Sequence, residues 1–276
     1  MKQLVALTCL VATAASIDAQ VTVVGRFRLG EADAGAAAGA ASAGTTVNSV
    51  SPSYPLTREG SHVYSADTPP AARLSLGPST LSIDFSGVGT YSGYYRALGT
   101  GLAAQDQNFG LEAWIKPANT VSGSRVVVTL GDQDSGYAIL QSGDALEVRY
   151  GTTGAALATF SGVPTTAWTH VALVRGPSTA TFYVNGVSAG TITASIPSWA
   201  ASFEYFGIGQ QPRGPGGQNF VGLIDEVRYF TFSGDFDAAM LNHVAAVPEP
   251  AGVAAGVGLV ACLAALGRRR TSRFSA

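Results

Sequence analysis

From Gln20 to Val244 the chain is a succession of short apolar runs cut by glycine and polar turn residues. Few segments repeat apolar positions at the three-to-four spacing of an amphipathic helix, so the pattern is one of strands. Val21 to Leu29, Leu74 to Phe85, Phe109 to Lys116, Arg125 to Leu130, Tyr137 to Gln141, Leu146 to Tyr150, Trp168 to Arg175, Thr181 to Val184 and Phe220 to Phe232 are the stronger candidates. Asn185-Gly186 between two apolar runs predicts a hairpin, because both residues tolerate the positive φ of a type I′ turn. Gly30 to Thr46 is rich in Gly and Ala and reads as a surface loop with no phosphate-loop pattern. With no linker rich in Pro and Ser at its edges, residues 20–244 are expected to form one all-β domain of two packed antiparallel sheets.

The ends follow different rules. Met1, Lys2, the apolar run Leu4 to Ala15 and small residues to Ala19 fit a secretory signal peptide over residues 1–19. A buried first helix is the competing reading, and the missing polar face argues against it. At the other end, Pro248-Glu249-Pro250 precedes the uncharged stretch 251–267, then Arg268, Arg269, Arg270 and Arg273. As a helix that stretch is about 25 Å long, marginal for a ~30 Å hydrocarbon core. The arginines mark the cytoplasmic side, which leaves residues 20–250 outside. Both ends give the same topology.

Charge and cysteine narrow the function. Only 12% of the 276 residues are charged, and no basic tract lies between the two ends, so there is no electrostatic footprint for nucleic acid. Both cysteines, Cys9 and Cys262, lie in the apolar ends, which excludes a disulfide framework or thiolate metal site between them. Residues 20–247 carry 11 basic and 16 acidic side chains, a net charge of −5.

The triplet, Gly/Ala-rich span and Arg-rich end at 245–276 resemble the PEP-CTERM sorting signal of Gram-negative, exopolysaccharide-producing bacteria. That resemblance implies an exosortase as partner, a membrane-held intermediate, and release to the cell surface or extracellular matrix. The competing reading is a plain single-span anchor. A second resemblance covers most of residues 74–232. Phe109-Gly-Leu-Glu112-Ala-Trp114-Ile-Lys116-Pro117, Trp168-Thr-His170-Val-Ala-Leu-Val-Arg175 with Phe182-Tyr-Val-Asn185-Gly186, and Phe220-Val-Gly222-Leu-Ile-Asp225-Glu226-Val-Arg228-Tyr229 resemble the LamG-like, concanavalin A-like jelly roll in order and spacing. Leu81-Ser-Ile-Asp84-Phe85-Ser86-Gly87 is similar to an early strand of that family, with Ser86 in place of an Asp. The resemblance implies two curved sheets and a carbohydrate- or protein-binding groove.

Glycosidases on this jelly roll place carboxylates along one strand, about 5–5.5 Å apart when retaining. No Glu-x-Asp-x-x-Glu set occurs, and strict alternation puts Asp225 and Glu226 on opposite faces. Only His62, His170 and His243 offer an imidazole base, and no Gly-x-Ser-x-Gly elbow accompanies them. His170 is expected to be a hydrogen-bonded core residue. Some jelly-roll relatives hold Ca2+, and Asp225 is the ligand candidate by its place in the motif, against a carboxylate that pairs with Arg228 or the backbone. Asp132-Gln-Asp134-Ser-Gly136 resembles an EF-hand opening but lacks Gly at its sixth position, where Tyr137 stands. For glycan contact the aromatic candidates are Trp199, Tyr91, Tyr94 and Tyr95, while Trp114 and Trp168 are expected in the core.

The expected function is therefore that of an exported, non-catalytic surface or matrix protein with a jelly roll for carbohydrate or protein binding. Two other readings stay open: a polysaccharide hydrolase with an unusual acid pair including Glu112 or Glu204, and a purely structural matrix component.

Overall fold

A computed structural model describes residues 20–70, 77–86, 91–97, 107–118, 121–162, 167–193, 205–211 and 217–243. The chain divides into two compact units, Met1–Val244 and Ala245–Ala276, and every described residue belongs to the first. The signal peptide, the Pro248-Glu249-Pro250 triplet, the apolar span and the arginine tail lie outside the described residues. No helix among the described residues is long and apolar enough to cross a membrane.

Two eight-stranded antiparallel sheets make the fold. One contains, in spatial order, β14 (Val187–Ile192), β13 (Ala180–Val184), β12 (Thr169–Arg175), β7 (Phe109–Pro117), β16 (Gly222–Ser233), β5 (Ser82–Asp84) and β4 (Val63–Ser65), with β1 (Gln20–Phe27) also paired to β16. The other runs β11 (Ala156–Ser161), β10 (Ala145–Tyr150), β9 (Gly136–Gly143), β8 (Val121–Gly131), β15 (Tyr205–Ile208), β6 (Gly93–Ala97), β3 (Leu56–Glu59) and β2 (Thr45–Thr46). The inner faces meet in one core that includes Phe27, Leu56, Tyr94, Phe109, Leu111, Ile139, Val171, Phe206, Ile224 and Tyr229. Alternating side chains of two facing sheets are what this packing requires.

The expected two-sheet fold is present, with differences at the boundaries. The strand expected over 74–85 shortens to Ser82–Asp84; residues 77–81 are irregular and residues 71–76 lie outside the described residues. Strands β3, β4, β6, β11 and β15 are three to six residues long and carry too few alternating apolar positions to register as periodicity. Asn185 and Gly186 do turn the β13–β14 hairpin, at φ 49° and 77°. The Gly/Ala-rich loop is tied down by Asp33, which accepts the Tyr64 hydroxyl at 2.9 Å and the Val47 N–H at 2.8 Å.

The first sheet's outer face is partly roofed by the chain after β16. Phe236 stacks on Phe230 at 5.7 Å, and Leu241 joins Ala172, Val174, Phe230 and Phe232 in a second apolar cluster. Beside that cluster lies a buried charge network. Glu112 on β7 accepts from Arg228 Nε on β16, from His170 Nε2 on β12 at 3.0 Å, and from the Asn242 N–H at 3.0 Å. Arg228 donates onward to the Met240 carbonyl at 2.6 Å, and Trp114 Nε1 to the Asn242 carbonyl at 2.9 Å. Burial alone would raise the Glu112 pKa, but the Arg228 charge and the His170 hydrogen bond hold it below the ordinary carboxylate value. Removing Glu112 leaves the Arg228 charge buried without its counterion. Glu112→Ala should cost ~3–5 kcal/mol in urea unfolding, and an effect under ~1 kcal/mol would show that the network is not what holds the roof.

Candidate functional site

Tyr91, Tyr94 and Tyr95 are not a loop cluster, because residues 93–97 form a strand. Alternation then separates them. Tyr94 is fully buried in the core, with its hydroxyl on the Ala43 carbonyl at 2.7 Å, which corrects its expected role as a glycan contact. Tyr95 points to the outer face of the second sheet and is half-buried. Tyr91, just before the strand, is 39% exposed. Trp199 and Glu204 lie outside the described residues.

The partner of Tyr95 is Tyr205, on the neighbouring strand β15, with ring centroids 6.5 Å apart. Gly207 is directly across from Tyr95, so no side chain stands against the ring there. Thr57 flanks Tyr95 on the other side. The same row continues through Thr129 and Ala138, both buried, to the half-buried Arg149, which donates to Glu147 and Ser124. This row is open to solvent at both ends, at the exposed Thr57 beside the tyrosines and at the exposed Ala156 across from Arg149. Partial burial, then the charge of Glu59 and a hydrogen bond to it, raise the Tyr95 pKa. Next to this pair, the Gln210 side chain fills the space over Gly93, where a Cβ would come within 2.5 Å of Gln210 Cγ. Gln210 is fully buried, and neither its Oε1 nor its Nε2 has a hydrogen-bond partner within the protein.

Asp225 occupies a different place. Glu226 has φ 46° at a bulge in β16, and the register against β7 shifts between Asp225 and Arg228. The bulge abolishes the strict alternation expected for Asp225 and Glu226, and each carboxylate finds a partner from the N-terminal part of the domain. Glu226 pairs with Arg28 at 2.9 Å. Asp225 is fully buried and accepts from Ser79 Oγ at 2.5 Å; it does not pair with Arg228, which Glu112 has taken. Ser79 Oγ also lies 2.9 Å from Glu31 Oε1 and 3.0 Å from the Leu81 carbonyl. Burial first, and then the charges of Glu226 and Glu31, push the Asp225 pKa well up. Glu31 Oε2 is buried with no hydrogen-bond partner. Two carboxylates and a carbonyl gathered around the Ser79 hydroxyl are hard oxygen donors of the kind calcium takes; Glu31 Oε1 also accepts the Thr80 and Leu81 N–H groups, so Glu31 Oε2 and Asp225 are the oxygens whose chemistry fits Ca2+. Carbonyl and hydroxyl oxygens would have to complete the shell, because no group of three or more His, Cys, Asp or Glu among the described residues is arranged to hold a metal ion.

The remaining candidates have structural places. Asp132 Oδ1 accepts from the Asp134 and Ser135 N–H groups, each at 2.9 Å, and so caps the β8–β9 turn. His170 is fully buried in the Glu112 network. Glu112, considered as an unusual acid, is sealed from solvent with both oxygens occupied. Trp114 is a core residue, but Trp168 is only half-buried and its indole N–H donates to Asp67 at 2.7 Å. Tyr205, Gln210, Glu31 and Ser79 escape sequence reasoning. Tyr205 opens a four-residue strand with two core positions, and Glu31 reaches Asp225 only through folding, so neither leaves a local pattern.

A concanavalin A-like lectin/glucanase superfamily model, laminin G type, matches residues 89–233, just over half of the chain. The chain belongs to that family. Among solved structures it is similar to domain 4 of AbnA, an extracellular arabinanase of Geobacillus stearothermophilus, determined in complex with arabinotriose; identity is 19%, TM-score 0.53, coverage 79% of this chain and 96% of that one. It is also similar to the botulinum neurotoxin serotype G binding domain, with 10% identity, TM-score 0.56, and coverage of 79% of this chain and 49% of that one. At these identities the likeness is one of fold. A search of curated proteins finds no match.

Proposed function

We propose that this is an exported, non-catalytic cell-surface or matrix protein whose sandwich binds carbohydrate at the tyrosine end of the second sheet. The observation that carries this reading is the Tyr95–Tyr205 pair on the outer face of the second sheet, with Gly207 leaving the Tyr95 ring uncovered from that side. Sugar faces stack on aromatic rings. A glycosidase needs two carboxyls across the scissile bond, and among the described residues this end of the face carries Glu59 alone. The AbnA domain in complex with arabinotriose is consistent with a binding role for this fold. Export by residues 1–19, and exosortase processing at Pro248-Glu249-Pro250 ahead of Arg268, Arg269, Arg270 and Arg273, complete the proposal and place the mature protein on the surface of a Gram-negative bacterium. Asp225 and Glu31 are proposed to hold Ca2+ as a structural ion.

Glycan-array screening of residues 20–247, followed by calorimetry on the best hit, should show binding that weakens about tenfold, or ~1.4 kcal/mol, in Tyr95→Ala and in Tyr205→Ala. Binding that ignores both substitutions, or reducing-end release lost on a Glu→Gln change, would count against the reading. Intact-mass measurement of the protein from native cells should find the 251–267 stretch removed; its retention would leave a plain anchor. Calcium added to chelator-treated protein should raise Tm, and Asp225→Asn should lose that shift; equal shifts in both proteins would dismiss the calcium site.

A further inference from the structure

On β1, Arg26 is paired across the ladder with Arg228 of β16, so the two side chains share the first sheet's outer face. Arg228 is neutralised by Glu112, and Arg28, just past the end of β1, by Glu226. Arg26 is different. It is only 6% exposed, its side chain makes no direct ion pair or hydrogen bond, and its Nε is buried with no acceptor; the Glu226 and Glu112 charges reach it only at longer range and are already paired with Arg28 and Arg228, which leaves three arginines to two carboxylates. Of the three guanidinium nitrogens only Nε is sealed from solvent without a partner. Asn48 is fully buried and accepts the Arg26 main-chain N–H through Oδ1 at 3.2 Å, which fixes the backbone at this residue.

A buried guanidinium without a counterion is costly, and buried charges in folded proteins are normally paired. Here the charge is also conspicuous because residues 20–247 carry a net −5. An arginine presents its terminal N–H groups as a planar fork that matches a carboxylate with two parallel hydrogen bonds.

We infer that Arg26 is an anion-binding residue that takes the carboxylate of a uronate-containing polysaccharide. The uronate rests on the carbohydrate-binding reading above; the anion site does not. It lies on the opposite sheet from the tyrosine pair, so the two sites take different parts of a polymer, the tyrosines an uncharged ring face and Arg26 an acidic unit.

The test uses residues 20–247, which contain all of the described core, and titrates digalacturonate, galactobiose and acetate in calorimetry and thermal melts. Digalacturonate should bind at least tenfold more tightly than galactobiose. That preference should weaken with added salt, disappear in Arg26→Met and persist in Tyr95→Ala. Arg26→Met should melt no lower than the parent in anion-free buffer, because it removes an uncompensated charge and keeps an apolar stem. A response to acetate that is lost in Arg26→Met keeps the anion site even if no sugar binds, and then only the carbohydrate reading fails. The inference is overturned if neither anion binds, if chloride shifts the melt as much as acetate, or if Arg26→Met melts well below the parent without anion.

Discussion

One buried carboxylate decides how the first sheet is finished. Glu112 stands in the middle of β7 and must satisfy its charge without water, so it draws a donor from each neighbouring strand and one from the chain beyond β16. Because a lone buried carboxylate costs several kcal/mol, each donor is constrained by the others. The result fixes three strands side by side and holds residues 240–242 over the sheet's outer face, where Phe236 and Leu241 add an apolar lid. Leading as it does out of the folded domain, this segment is held by hydrogen bonds to charged groups, which are stronger than neutral ones.

The bulge at Glu226 is the second organising feature. Without it Ile224, Glu226 and Arg228 would share one face of β16; with it Ile224, Val227 and Tyr229 enter the core while Arg228 turns outward to Glu112. The same irregularity frees Asp225 and Glu226 to meet Ser79 and Arg28. A single extra residue thus couples core packing, the outer-face charge network and the oxygen cluster around Asp225. Strain at a non-glycine residue with positive φ is sustained here because the surrounding contacts over-determine it.

Much of the fold is legible in the sequence where strands are long and buried on both faces. Phe109 to Lys116 and Trp168 to Arg175 are largely apolar runs, interrupted by Glu112 and by Thr169-His170, and emerge as β7 and β12 in the middle of the first sheet. Legibility fails where strands are short. Gly93 to Ala97 looks like a glycine-rich connection, and only its pairing with β15 and β3 makes it a strand that sends Tyr94 inward and Tyr95 outward. Of the aromatic residues picked out by composition, therefore, one is core, two lie at or near the outer face, and the fourth, Trp199, falls outside the described residues.

The sequence by itself determined the strand-rich class, the two apolar ends, the thiol-free acidic middle and the order of the jelly-roll motifs, because composition and period-two patterning are local properties. Tertiary structure alone decided which polar groups have partners. Glu31 and Asp225 are 194 residues apart in sequence and share one serine hydroxyl, and Arg26 faces Arg228 across a ladder yet lacks the direct ion pair its neighbour has. Pairing of buried charge depends on which strands become neighbours and where a bulge shifts the register, and neither is written in the chain within hydrogen-bonding reach of the residues concerned.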